Sequence, residues 1–598
     1  MKLKMIFPVV LGIGLASMSW AQDQQSVPLQ TEPAAPSTQP SAPGQEPAAG
    51  QEEEQPLPPD IIYVHGNFYT NTLGPNNLVQ RAEALAVRDG IIINVGSNDY
   101  IRAQKGPATK EVDLGGHFAV PGFNDAHVHL AEAGLEKLNL DLVGVKSLAE
   151  MQKRIRDYAR KTAAGAWIAG GGWDHTLWPV QTLPSRADID KASGNHPVLL
   201  WRVDGHIALA NTEALRRGGI TDATKDPQGG KIDRDADGHA TGILRETACD
   251  PVESVIPKPT HARRRQAIEL ALRDAAQWGV TSLQDNSTWE DFQIYEELEK
   301  EGKLTARITE WLRFDDPLET LKAHRAAHSP WDNMLHTGML KGFLDGSLGS
   351  RTAALQQPYA DDPKNSGLAR YDQATLNEMT RERADASFQI GFHAIGDRGV
   401  QMALDAYTEA FKDVKEKKVK GPVGSSYFAM RVEHAQVTTP AEVTRFGELN
   451  IIASMQPSHL LTDMRWAQDR LGPERAAHSY AWGEFLAKGV TLAFGTDYPV
   501  EPINPFRGLY AAITRKSEDG TKEYFPGQKL NFDQAMHAYT IGSATAEFAA
   551  LNKGKILPDM LADFAVLDRD VTQSTPEEIL HTKVLRTVVG GKTVYEAK

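Results

Sequence analysis

Phe118-Ala119-Val120-Pro121-Gly122-Phe123-Asn124-Asp125-Ala126-His127-Val128-His129 decides the fold, because an apolar pulse from Phe118 to Phe123 runs directly into a His-x-His pair. Side chains two apart on a strand point to one face, so His127 and His129 can reach one metal ion together. By itself such a pair is a weak sign. Seven more apolar, β-branched pulses follow it: Val280 to Gln284, Arg307 to Leu312, Met339 to Leu344, Phe388 to His393, Ala429 to His434, Ile451 to Gln456 and Thr491 to Gly495. Helical patterns separate most of them, over Trp289 to Lys300, Pro317 to His328, Asp372 to Ala386, Gly399 to Lys418, Thr439 to Glu448 and Tyr480 to Lys488. Eight buried strands alternating with helices predict an α/β chain folded as a (β/α)8 TIM-like barrel over residues 118–545. The first two pulses lie far apart, so a large insertion, about residues 131–278, follows strand 1.

Both ends of the chain beyond the barrel read differently. Residues 60–117 carry short strand patterns spaced by Gly and Asn turns, and residues 546–598 repeat that texture. They predict a small β-sandwich domain built from both chain ends. Further upstream, Lys2 and Lys4 precede an apolar run from Met5 to Met18 and small residues at Ser19 and Ala21, the pattern of a signal peptide over residues 1–21. An exported, periplasmic protein with no membrane span after cleavage is the expectation. Residues 22–59 hold nine prolines, six acids, no basic residue and no aromatic one, which predicts a disordered tether.

Composition narrows the partners. Of 598 residues, 41% are apolar and 24% charged, the balance of a globular chain. The net charge of −14 contains no long basic block, which argues against a nucleic-acid surface. Cys249, the single cysteine, can form neither an internal disulfide nor a cysteine zinc cage. A small-molecule substrate is expected, and a homodimer is compatible with a chain of this kind.

The remaining chemistry falls at strand ends. Lys341 sits within the fourth pulse, His393 ends the fifth, His434 ends the sixth, and Asp497 follows the eighth in Gly495-Thr496-Asp497. In a β/α barrel those ends converge on one face, where active sites lie. A lysine inside a buried strand must be paired or neutralised, so either Asp345 or another acid pairs with it, or its amine is modified.

These residues, with the words VPGFNDAHVHL, GGGWD, DGHIALAN, TGILRE, KGFLDGSLGSRTAAL, FHAIGDRG, RVEHAQ and GTDYPV, resemble the amidohydrolase superfamily, and in detail its amidohydrolase 3 branch, the YtcJ-like and N-substituted formamide deformylase-like proteins. The likeness runs from about residue 60 to the C-terminus. One departure is ILPDMLADFAVLD at 556–568, where relatives commonly carry Gly-Lys before Ala-Asp. The resemblance implies a hydrolase of non-peptide C–N bonds of amide or formamide type, with one or two divalent ions, usually Zn2+. It implies that His127, His129 and Asp497 hold the more buried ion, that a carbamylated Lys341 bridges, and that His393 and His434 hold the second. Asp497 would act as general base.

The insertion offers Trp173, Asp174, His206, Arg245 and Glu246 as substrate-pocket candidates, and Arg351, Tyr359 and Tyr498 follow catalytic strands. Two other readings stay open: the same site acting on an ester, lactone or cyclic amide, and a catalytically silent barrel that binds a ligand.

Overall fold

Eight parallel strands form the central sheet of the computed structural model, which describes residues 57–74, 78–202, 207–227, 230–329 and 332–598. They are β1 (Phe123–Val128), β2 (Val280–Asp285), β3 (Arg307–Arg313), β4 (Leu335–Phe343), β5 (Ile390–Ala394), β6 (Arg431–His434), β7 (Ile452–Met455) and β8 (Leu492–Phe494). Each pairs in parallel with its neighbours in sequence. The ring is drawn together between β1 and the segment after β8. Asp497 donates its N–H to the His127 carbonyl at 2.7 Å, and His129 donates to Tyr498 at 2.8 Å. Every residue of β1, β2, β6 and β7 is buried, as a parallel sheet covered by helices requires. The chain is therefore a TIM-like (β/α)8 α/β fold.

One strand was misread from sequence. The apolar pulse Phe118 to Phe123 is two strands, because Pro121 brings no N–H and Gly122 allows a close turn. A β-carbon on Gly122 would stand 2.1 Å from the Thr281 hydroxyl. Phe118–Pro121 belongs to a six-stranded sheet, between Asn67–Leu73 and Phe564–Leu567. Only Phe123 onward joins the barrel.

That six-stranded sheet takes strands from both ends of the chain, with Val79–Ala82 at one edge and Lys592–Glu596 at the other. A four-stranded sheet of Ile91–Gly96, Ala84–Arg88, Ile61–Val64 and Lys110–Asp113 packs on it. Tyr63 and Phe68 both set their rings edge-on to Phe564, at 4.9 and 5.6 Å.

Between β1 and β2 the chain builds a further six-stranded sheet from Leu140–Asp141, Ile168–Trp173, Val198–Arg202, Ile207–Ala210, Gly230–Arg234 and Ala240–Glu246. The helices leading into and out of it, Leu130–Leu138 and His261–Gln277, lie against each other. Gly134 makes that contact: an added β-carbon would come 2.0 Å from the Ala267 carbonyl oxygen. Among the described residues no helix is long and apolar enough to cross a membrane. The segment read as a signal, and the tether as far as residue 56, lie outside the described residues.

Candidate metal centre

The pleat of β1 turns His127 into the barrel, where it is fully buried, and leaves His129 at its rim with 21% of its side chain exposed. His434 ends β6 with φ at 75° and Asp497 follows β8 with φ at 60°. Both stand in a left-handed backbone conformation that bulky residues rarely take. At His434 this turn matters, since simple alternation would place it on the face opposite Glu433. One ligand atom each from His127, His434 and Asp497 lies within 4.8 Å of the others. His129 Nε2 is 3.2 Å from Asp497 Oδ1, and the His393 ring is 4.5 Å from that of His434. Lys341 Nζ sits 3.1 Å from His127 Nε2.

Hydrogen bonds around the imidazoles fix which nitrogen is free. His127 donates from Nδ1 to Glu433 at 2.9 Å, and His434 donates from Nδ1 to Gln456 at 2.8 Å, so both present the Nε2 lone pair inward. His393 is reversed: its Nε2 donates to the Gly346 carbonyl at 3.1 Å, leaving Nδ1. A carboxylate behind a histidine is the arrangement that orients metal-binding imidazoles. Glu433 is itself held by Arg431, 2.8 Å away, whose guanidinium also reaches Ala126, Gln284 and Ser454.

Charge follows from burial and neighbours. Burial and the Lys341 charge push His127 down to about 4 and His393 to about 3, and burial with His393 drives His434 well below its ordinary value. These rings are neutral and able to donate lone pairs. Burial alone would raise the Asp497 carboxyl, but the imidazoles of His127, His129 and His434 outweigh it and hold it well below the carboxylate range. Its Oδ1 is buried and receives no hydrogen bond. A buried anionic oxygen without a donor, beside neutral imidazole nitrogens, suits a divalent cation. The residues present fit such an ion.

Lys341 is not paired with Asp345. That carboxylate accepts the backbone N–H groups of Ala354, Ile395 and Gly396 at 2.8–3.0 Å. No described carboxylate lies within ion-pair distance of the amine. It rests instead near the rings of Trp311 and Phe343, at 5.3 and 5.0 Å, and burial brings it down to about 8.

The substrate candidates are mostly occupied elsewhere. Trp173 is fully buried, donates to Leu200 at 2.8 Å and packs on Trp178 in the core of the insertion. Asp174 pairs with Arg202, and Arg245 with Asp233. Arg351 is held by Asp361 through two bonds of 3.1 and 2.9 Å. Tyr359 is buried and donates to Ala353. Tyr498 meets the site through its backbone, while its hydroxyl donates to Asp274 at 2.7 Å. Each polar end therefore has a protein partner, which residue type alone cannot reveal. His206 and the side chain of Glu246 lie outside the described residues. Sequence reading also passed over Glu433, Gln456, Trp311 and His459, whose Nε2 is 3.5 Å from Asp497 Oδ2. Arg431 and Glu433, two apart in a barrel strand, carried the same inward-facing signal as His127 and His129.

Known proteins agree with this geometry. The amidohydrolase family pattern matches residues 110–595. The chain belongs to the amidohydrolase family. Protein LONG AFTER FAR-RED 3 of Arabidopsis thaliana is 35% identical to this amidohydrolase over 90% of the chain and 91% of its own length. The N-substituted formamide deformylase of Arthrobacter pascens is 25% identical over 86% and 95%. The crystal structure of an uncharacterized metal-dependent hydrolase from Pyrococcus furiosus matches with a TM-score of 0.71 and 29% identity, over 86% of this chain and all of that one. The amidohydrolase is a member of a metal-dependent hydrolase superfamily whose centre takes a divalent metal.

Proposed function

We propose that this protein is an exported amidohydrolase that cleaves an amide or formamide-type C–N bond of a small molecule, with zinc in the centre. The observation that carries the reading is the convergence of His127, His434 and the donor-free Oδ1 of Asp497 within one ligand sphere. The deformylase relative supports the choice of bond. His127, His129 and Asp497 would hold one ion, and His393 with His434 a second. Lys341 would bridge them as a carbamate. Its ammonium, brought down to about 8 by burial, would first give up one proton; the free amine would then add CO2 and release a second, which turns a buried cation into an anion among the residues of the site.

An ion bound there supplies Lewis acidity, polarising the scissile carbonyl and lowering the pKa of water toward about 7. Asp497, ionised at neutral pH, takes the proton of the attacking water and returns it to the departing nitrogen. Glu433 and Gln456 keep His127 and His434 in the tautomers that present Nε2. His459 brings its Nε2 to 3.5 Å from Asp497 Oδ2.

Metal content measured on the purified mature protein and on Lys341→Ala, beside hydrolysis of N-formyl and N-acyl amines, tests the reading. About two ions per chain, lost together with activity in the variant, is the expected result. Metal-free protein without turnover would sink it.

A further inference from the structure

We infer that the substrate bears a carboxylate, received by Arg313 and Arg370 at the mouth of the metal centre; this rests on the hydrolase reading above. Arg313 ends β3 two residues after Trp311, whose ring meets His127 at 4.8 Å inside the barrel. It shares that inward face, and its register partner on β4 is Lys341 itself. Arg370 arrives from the long segment after β4 and lays its guanidinium over Phe343, 5.6 Å from the ring centre. Phe343 lies 5.3 Å from the His393 ring and 5.0 Å from Lys341 Nζ. The two arginines thus stand on the β3–β4 wall, directly outside the residues of the centre.

Both are exposed, and neither has a described carboxylate within ion-pair distance. Two other arginines on this end of the barrel, Arg351 and Arg470, are both taken up by Asp361. Glu132 lies 3.7 Å from His129 Nδ1 on the β1 side, and Asp315, two residues after Arg313, accepts the hydroxyl of Tyr371 next to Arg370 without pairing with either arginine. A guanidinium offers a planar fork that matches a carboxylate, and stacking on an aromatic face holds that fork in place. A substrate with its amide at the metal centre and a carboxylate some bonds away would span from Asp497 to these arginines.

The test is a homologous series from N-formylglycine to N-formylaminohexanoate, each beside the N-formylalkylamine lacking the carboxylate. Wild-type protein should favour the acid in kcat/KM for at least one chain length. That preference should fall about ten- to hundredfold in Arg313→Gln and in Arg370→Gln, and Arg370→Lys should recover part of it. A ratio at or below one throughout, or one unchanged in both variants, overturns the inference and leaves the hydrolase reading standing. If no compound is hydrolysed, calorimetry with N-formylaminohexanoate decides. Binding weakened tenfold by either variant keeps the anion site and sinks the hydrolase reading, whereas no binding overturns the anion site.

Discussion

Glu433 is fully buried between Arg431 and the Nδ1 of His127. Burial would raise its carboxyl, and Arg431 with His127 overcomes this, holding it at about 2. Exchange of Glu433 for glutamine keeps the shape and removes the charge that fixes the imidazole. Glu433→Gln should weaken metal affinity about 10- to 100-fold, the usual effect of losing such a partner, measured by competition with a chromogenic chelator. Unchanged affinity would show that Glu433 serves only to neutralise Arg431. His127, His129, Lys341, His393, His434 and Asp497 were legible as a set because strand ends converge, whatever the loops do. Trp173 misled because a tryptophan after Gly170-Gly171-Gly172 suits a pocket and a core equally, and only the Leu200 carbonyl distinguishes them.

At the scale of elements, the helix Pro440–Leu449 opens with a capping box in which Thr439 and Glu442 bond each other's backbone N–H groups. Burial, joined by the nearby Asp397, raises Glu442 to about 7 from the ordinary 4.5. A carboxyl raised on folding contributes stability that is complete below its unfolded pKa and is lost as the pH climbs through the folded one. Wild-type protein should therefore lose up to about 3 kcal/mol between pH 4.5 and 7 relative to Glu442→Gln, which preserves the box. Denaturant titrations of both proteins at several pH values check this, and parallel curves would refute it. The helices themselves were visible from periodicity. The division of Phe118 to Phe123 was not, since a proline and a glycine inside an apolar run read as a bend in one strand until the sheet partners are known.

The whole molecule is tied together by contacts between distant parts of the chain. Arg307, at the start of β3, is buried with two bonds of 2.6 and 2.8 Å to Asp563, which precedes the strand Phe564–Leu567 of the six-stranded sheet built from both chain ends. Asp563 also accepts the backbone N–H of Gly590. Asp563→Ala would leave a buried guanidinium without its counter-ion and should cost about 3–5 kcal/mol, read from urea unfolding. A loss below 1 kcal/mol would mean that the flanking sheets and the barrel are energetically separate.

Sequence by itself determined the barrel and brought out His127, His434 and Asp497, which the structure gathers within one ligand sphere, because strand period and strand-end position are local properties that chemistry-bearing residues reveal directly. Tertiary structure alone decided which polar side chains are free to act. Tyr498, Arg351 and Asp174 look like pocket residues in one dimension, yet Asp274, Asp361 and Arg202 satisfy them in three. Arg313 and Arg370 carry no motif and are left without an acid. A hydrogen bond or ion pair is a matter of distance between residues far apart in the chain, and no reading of spacing supplies that distance.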